Sequence, residues 1–240
     1  MRGFLVGLQF LTQLPIAGDR ASPRQISDSY YFYPVIGFLL GVSAVVVRHV
    51  LMMVFPVSFS ITLVLAFLIW ISGGLHEDGL ADVADGMGGG WTRDERLTIM
   101  KDSRIGAFGA SMLILALLAK YAALTSMNAS RLDASIITAQ VLGRWAFLPM
   151  GYFNRYACEG LGSEFMKGLT AKALVVATVL SGSAAILLCR LQGTLAFGVA
   201  IAVIIVASLY FRRRIGGVTG DCFGAMFQFV EIATYAVFLA

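Results

Sequence analysis

Apolar runs of about 18 residues or longer recur along this chain, the length at which a helix becomes able to cross a bilayer. Seven spans are expected from them: Tyr31–Val54, Val57–Gly74, Ile105–Thr125, Asp133–Tyr152, Ala173–Cys189, Thr194–Phe211 and Cys222–Ala240. Only 13% of the residues are charged and mean hydropathy is +0.82, whereas a soluble domain is about a quarter charged. The segment GFLVGLQFLTQLPI at 3–16 is too short to span and is followed by no A-x-A site. It reads as an interfacial or re-entrant helix rather than a cleaved signal peptide. The expected fold class is therefore all-α, a polytopic transmembrane helical bundle of about seven spans plus a short N-terminal interfacial helix. No polar linker is long enough to divide it, so residues 1–240 form a single expected domain. Cys158, Cys189 and Cys222 make no C-x-x-C pair and read as isolated thiols.

Lysine and arginine placement orients the spans. With the 75–104 segment in the cytoplasm, alternation puts Arg2, Arg20, Arg24, Arg93, Arg96, Lys101, Arg104, Arg155, Lys167, Lys172 and Arg212–Arg214 on that side. The far side keeps Arg48, Lys120, Arg131 and Arg190, with Arg144 inside a span. The net charge of +4 then reflects loop topology, and no nucleic-acid partner is read from it.

Seven of the 14 acids fall within Gly73–Gly106: Glu77, Asp78, Asp82, Asp85, Asp94, Glu95 and Asp102. Carboxylates beside hydrocarbon are costly unless paired or bound to a cation. Asp78, Asp82 and Asp85, spaced i, i+4, i+7, share one stripe of a helix. Like charges on one stripe repel, and a divalent cation reverses that sign. Carboxylate oxygens suit Mg²⁺, which keeps waters and accepts substrate phosphates. The competing explanation is an ordinary acidic loop at a membrane surface. Against it, Gly79, Gly86 and Gly88–Gly90 crowd the stretch and allow a bulky ligand close to the backbone. Glu77 points about 100° off the stripe and is not assigned to metal.

In Met100–Arg104, Lys101 and Arg104 are candidate phosphate binders, or plain basic anchors at a helix end. Asp102 between them favours a site. G-G-x-x-x-D occurs at Gly73–Asp78 and again at Gly216–Asp221, and Phe-Gly-Ala at Phe108–Ala110 and Phe223–Ala225. If the echo is structural, Asp221 meets the Asp78 stripe across a helix interface. Arg144 and Glu231 lie inside spans, where each should face the interior and find a partner. His76 adjoins the stripe as a candidate general base, or as a polar residue at a helix end.

H-x-D-G-L-A-D-x-x-D-G (His76–Gly86), M-K-D-S-R-I-G-x-F-G (Met100–Gly109) and T-G-D-x-x-G-A (Thr219–Ala225) resemble the cobalamin synthase (adenosylcobinamide-GDP ribazoletransferase) family. The N-terminal segment and Tyr33–Gly37 resemble the same family's opening, so the likeness covers nearly the whole chain. It implies an enzyme of the bacterial inner (cytoplasmic) membrane, with its active-site loops facing the cytoplasm. Such an enzyme joins adenosylcobinamide-GDP to α-ribazole, or its 5′-phosphate, releasing GMP with Mg²⁺ present. Carried onto this chain, Asp78, Asp82, Asp85 and Asp221 would hold metal, and Lys101, Arg104 and Arg144 would steady the pyrophosphate. His76 or an aspartate, Asp82 or Asp102, would take the hydroxyl proton. The lipid bilayer is a further expected partner, and a homo-oligomer is compatible with the sequence. Two departures stand out: Glu77 where the family more often has an apolar residue, and Gln228 where many members have glutamate.

Two rivals share some of these features. A CDP-alcohol phosphotransferase-like lipid enzyme also binds metal with helical aspartates, but its D-x-x-D-G-x-x-A-R spacing differs. A secondary transporter with an acidic ion site would place its acids near the midplane between repeats, and here most sit at one edge. A structural scaffold leaves the aspartate stripe without a reason.

Overall fold

Gly73 and Gly74 both have left-handed backbones, φ +66° and +70°, a conformation that side-chain-bearing residues rarely adopt. They turn the chain through 87° between α4 (Val57–Ile71) and α5 (Leu75–Gly89). The computed structural model describes residues 2–16, 18, 21–158 and 168–240. Arg20, Lys167 and the 159–167 part of the segment that follows Asn154 lie outside them.

The other elements are α1 (Arg2–Leu11), α2 (Pro23–Ser29), a 3₁₀ turn (Tyr30–Phe32), α3 (Tyr33–Met52), α6 (Arg93–Ile99), α7 (Ala107–Ser126), α8 (Ala129–Trp145), α9 (Phe147–Phe153), α10 (Ala171–Leu188), α11 (Arg190–Ile215) and α12 (Gly220–Leu239). The described residues contain no strand beyond one isolated bridge between Tyr156 and Val218. Among the described residues, five helical stretches are long and apolar enough to cross a membrane, and six if the bent α4–α5 pair counts as one. That is fewer than the seven expected. The segment expected at Asp133–Tyr152 is α8 followed by α9, which meet at Ala146 and reach 17 and 7 residues. From Thr138 to Trp145 every residue of α8 is buried, so this helix is the centre of the bundle rather than part of its lipid-facing wall.

Small residues set the spacing between helices, as they do where lipid supplies no hydrophobic drive. α3 crosses α8 through Gly37 and Gly41, which lie against the backbones of Gln140–Val141 and Ile137. α10 and α11 bury alanines (Ala173, Ala177, Ala185; Ala196, Ala200, Ala207) and turn Val175, Val206 and Leu187 outward. Gly37→Leu is expected to force α3 off α8 and to cost about 1–3 kcal/mol, read as a lower midpoint in thermal unfolding of the detergent-solubilised protein.

The helix ends sort into two faces. Arg48 and Asp133 pair at 2.7 Å, and Arg131 donates to the Phe238 carbonyl, which gathers the ends of α3 and α12 with the start of α8 on one face. On the other, Arg93 donates to the Ile215 carbonyl at 3.0 Å and Arg96 to the Arg214 carbonyl at 3.1 Å. These two arginines cap the exposed carbonyls ending α11 and hold α6 across that face. Lys120, counted above among the far-side charges, lies within α7, 3% exposed, against Glu231 of α12. One charge among 20 mostly apolar helix residues does not break the helix when a buried partner is present.

Candidate active site

α5 leaves the glycine elbow and runs along the first turns of α12. Gly79 lies against the Asp221 backbone, and Gly224 against the backbones of Leu75, His76 and Gly79, with no room for a Cβ at Gly79. This close crossing brings Asp78 and Asp82 of α5 beside Asp221 in the first turn of α12. Asp82 lies within the electrostatic reach of Asp78, Asp221 and Asp85 together. Asp221 accepts a hydrogen bond from the Thr219 hydroxyl at 3.2 Å, which fixes its orientation. The echo in the sequence is therefore structural in two respects. Gly73 and Gly216 both have positive φ at the end of a helix, and the aspartates that follow them converge.

Asp85 does something the stripe did not announce. Its Oδ2 accepts from the Gly106 N–H at 2.7 Å and its Oδ1 from the Gly109 N–H at 2.8 Å. It caps the start of α7 with both oxygens, a favourable place for a carboxylate. Expected as a metal ligand, Asp85 is a clasp between α5 and α7. Gly106 and Gly109 both press against this carboxylate, and a Cβ on either would overlap it. Gly109→Ala is expected to break the clasp at a cost of about 1–3 kcal/mol, measured as lost thermal stability.

Met100 packs on Gly86, which ties the end of α6 to the end of α5. Arg104 grips Asp102 in a fork, Nε to Oδ1 at 3.0 Å and Nη2 to Oδ2 at 2.6 Å. These bonds hold the Asp102 carboxyl down at about 2, so it is ionised at neutral pH and a poor proton acceptor. The Arg104 side chain is 87% exposed, and Lys101 is also exposed. Both cations are thus presented outward.

Two of the expected site residues lie deeper. His76 is 2% exposed and stacks on Phe227, with ring centroids 4.0 Å apart. Neither ring nitrogen has a hydrogen-bond partner among the described residues. Arg144 is 1% exposed, lies over the same Phe227 ring at 5.0 Å, and donates to Gln140 Oε1 at 2.6 Å. Phe227 is about one and a half turns along α12 from Asp221, so Arg144 is spent on an interior network and does not join Lys101 and Arg104. In that network Lys120 Nζ meets Glu231 Oε2 at 2.5 Å, and Gln140 and Tyr235 donate to Glu231 Oε1 at 2.7 and 3.0 Å. Lys120, Gln140 and Tyr235 carried no motif; the one sequence signal for them was the lone glutamate inside a span.

The donors available at the edge are carboxylate oxygens, the type a hard divalent cation takes. The described residues contain no ready-made cage of three or more Asp, Glu, His or Cys ligands. Mg²⁺ does not require one, since one or two carboxylates with waters and substrate phosphates suffice. An open shelf of Asp78, Asp82 and Asp221 fits that chemistry.

Residues 3–239 match the family described as Cobalamin-5-phosphate synthase. The chain belongs to the cobalamin-5-phosphate synthase family. A relative named adenosylcobinamide-GDP ribazoletransferase, from Syntrophobacter fumaroxidans, is 35% identical over 234 residues, covering 95% of this chain and 94% of the relative. Proteins of the same name from Vibrio parahaemolyticus and Vibrio cholerae are 33% and 35% identical, covering 100% and 99% of this chain and 92% and 93% of their own length. No solved structure matches the chain. Glu77 and Gln228, the two positions expected to depart from the family pattern, are partners. Gln228 Nε2 donates to Glu77 Oε1 at 2.8 Å, so the acid and the amide face each other across the α5–α12 crossing.

Proposed function

We propose that this chain transfers the phosphocobinamide group of adenosylcobinamide-GDP to a ribose hydroxyl of α-ribazole or its 5′-phosphate, releasing GMP. The new bond joins the hydroxyl oxygen to the phosphorus on the cobinamide side. The bond that breaks is the bridging P–O bond to GMP, which leaves with the electron pair, and the hydroxyl gives up its proton. The observation that carries this reading is the convergence of Asp78, Asp82 and Asp221 at the α5–α12 crossing, in a chain whose Lys101 and Arg104 face outward.

Asp78, Asp82 and Asp221 would hold a divalent cation, Mg²⁺. When bound, such an ion neutralises phosphoryl oxygens and the leaving group. Asp85 keeps α5 in place by clasping α7. Lys101 and Arg104 bind pyrophosphate oxygens, Arg104 exchanging part of its fork on Asp102 for a phosphate fork. The hydroxyl proton goes to a carboxylate of the shelf, because Asp102 is held ionised by Arg104 and His76 is stacked beneath Phe227. The shelf faces the cytoplasm of the bacterial inner membrane, the side on which lysine and arginine are concentrated.

The test is release of GMP from cobinamide-GDP and α-ribazole by the purified protein in lipid, with Mg²⁺ titrated. GMP release that needs both α-ribazole and the metal is expected. Release of GMP without Mg²⁺, in the presence of a chelator, would remove the metal from the reading.

A further inference from the structure

At its closest point the α5–α12 crossing is backbone on backbone, Gly79 against Asp221 and Gly224, with the His76 ring stacked on Phe227 beside it, so the side chains around that point fix how α5 is rotated about its own axis. That rotation decides where the aspartates point. Neighbouring residues of a helix differ by about 100° in direction. Here Asp78 is exposed while Glu77, next to it, is turned inward, its side chain 17% exposed.

The inward carboxylate is held from two other helices. Gln228 of α12 donates to Glu77 Oε1 at 2.8 Å, and Lys120 of α7 places its ammonium 4.0 Å from the same oxygen. Lys120 is in turn fixed by Glu231 at 2.5 Å. A carboxylate in such surroundings has few places to go: a turn of α5 by one residue's worth would strip it of both partners and leave it against apolar helix faces. At the other end of the helix the Asp85 clasp on Gly106 and Gly109 does the same task.

Resting on the function proposed above, we infer that Glu77 is a positioning residue. Paired with Gln228 and backed by Lys120, it sets the rotation of α5 and thereby aims Asp78 and Asp82 at the space beside Asp221. It acts through the helix and touches no substrate. The pair is also interchangeable in principle, since a carboxylate at 228 facing an amide at 77 keeps one hydrogen bond and leaves one charge for Lys120.

Three variants test this: Glu77→Gln, Gln228→Glu and the double exchange. Each single change is expected to lower the rate of GMP release by about ten- to a hundredfold, the scale of a slightly misplaced reactive group, and to raise the Mg²⁺ concentration needed for half the maximal rate. The double exchange is expected to recover most of both. A Glu77→Gln protein with wild-type rate and metal dependence, or a folded double exchange no better than the worse single, overturns the inference. If Glu77→Gln does not fold, Gln228→Glu against the double exchange makes the same comparison. Rotation is also read without activity, by maleimide labelling of Asp78→Cys over the background of the three native cysteines. Labelling is expected to change with either single substitution and to return in the double exchange, and an unchanged rate throughout overturns the inference. A wild-type chain that releases no GMP while the labelling follows this pattern removes the functional reading alone and leaves the rotational role standing.

Discussion

Asp82→Asn is expected to abolish most GMP release while leaving the protein as stable as before, or more so. Asp82 sits among Asp78, Asp85 and Asp221, so removing its charge relieves repulsion among these carboxylates. On the function proposed above, the same change takes a ligand from the divalent cation. Metal stabilisation of transition-state charge is worth several kcal/mol, and each 1.36 kcal/mol is a factor of ten, so a loss of about a hundred- to a thousandfold in kcat/KM is expected. The two measurements, GMP release across a Mg²⁺ titration and the thermal midpoint in detergent, should therefore move in opposite directions. Full activity with an unaltered metal dependence would take Asp82 out of the mechanism.

Glu231→Ala should have the largest effect on stability. Glu231 is 1% exposed and accepts from Gln140 and Tyr235 while pairing with Lys120. Among the described residues, its removal leaves the 3%-exposed Lys120 with Glu77 alone as an acidic partner, 4.0 Å away. Breaking one side of a buried ion pair costs about 3–5 kcal/mol, and here two hydrogen-bond donors are orphaned as well. Chemical unfolding in mixed micelles should show that loss. The double change Lys120→Met with Glu231→Leu should recover much of it, because replacing both buried charges by apolar groups of similar size is often neutral. A double variant as unstable as the single would mean that the packing around position 231 matters more than the charge.

The outcome at these positions shows what a single sequence can carry. The Asp78–Asp82 stripe, its meeting with Asp221 and the interior placing of Glu231 were all legible, because helical period and the cost of charge in hydrocarbon leave few alternatives. The pairing of Lys120 was not legible: in α7 one buried lysine is diluted by its apolar neighbours, and a helix distant in sequence supplies its partner Glu231. The Asp85 clasp was hidden for a similar reason. Its partners are backbone N–H groups of Gly106 and Gly109, and backbone groups leave no signature in composition. The stretch expected at Asp133–Tyr152 does not reach the length of a span among the described residues because it is divided into helices of 17 and 7 residues, a break that apolar composition does not announce. Arg144 shows the limit of reading lone charges as functional: its guanidinium meets Gln140, an amide four residues back on its own helix.

The right-angled elbow at Gly73–Gly74 has a geometric consequence. Were α4 and α5 one continuous rod, Asp82 would stand about 12 Å beyond Gly74 along the axis, out in bulk water. Water at that distance screens charge and loosens any hold on a counter-ion. By folding over instead, the chain keeps its acids close to the apolar helices, where, on the function proposed above, a cation would be felt more strongly than in bulk water. Two residues without side chains thus decide which solvent the chemistry is carried out in.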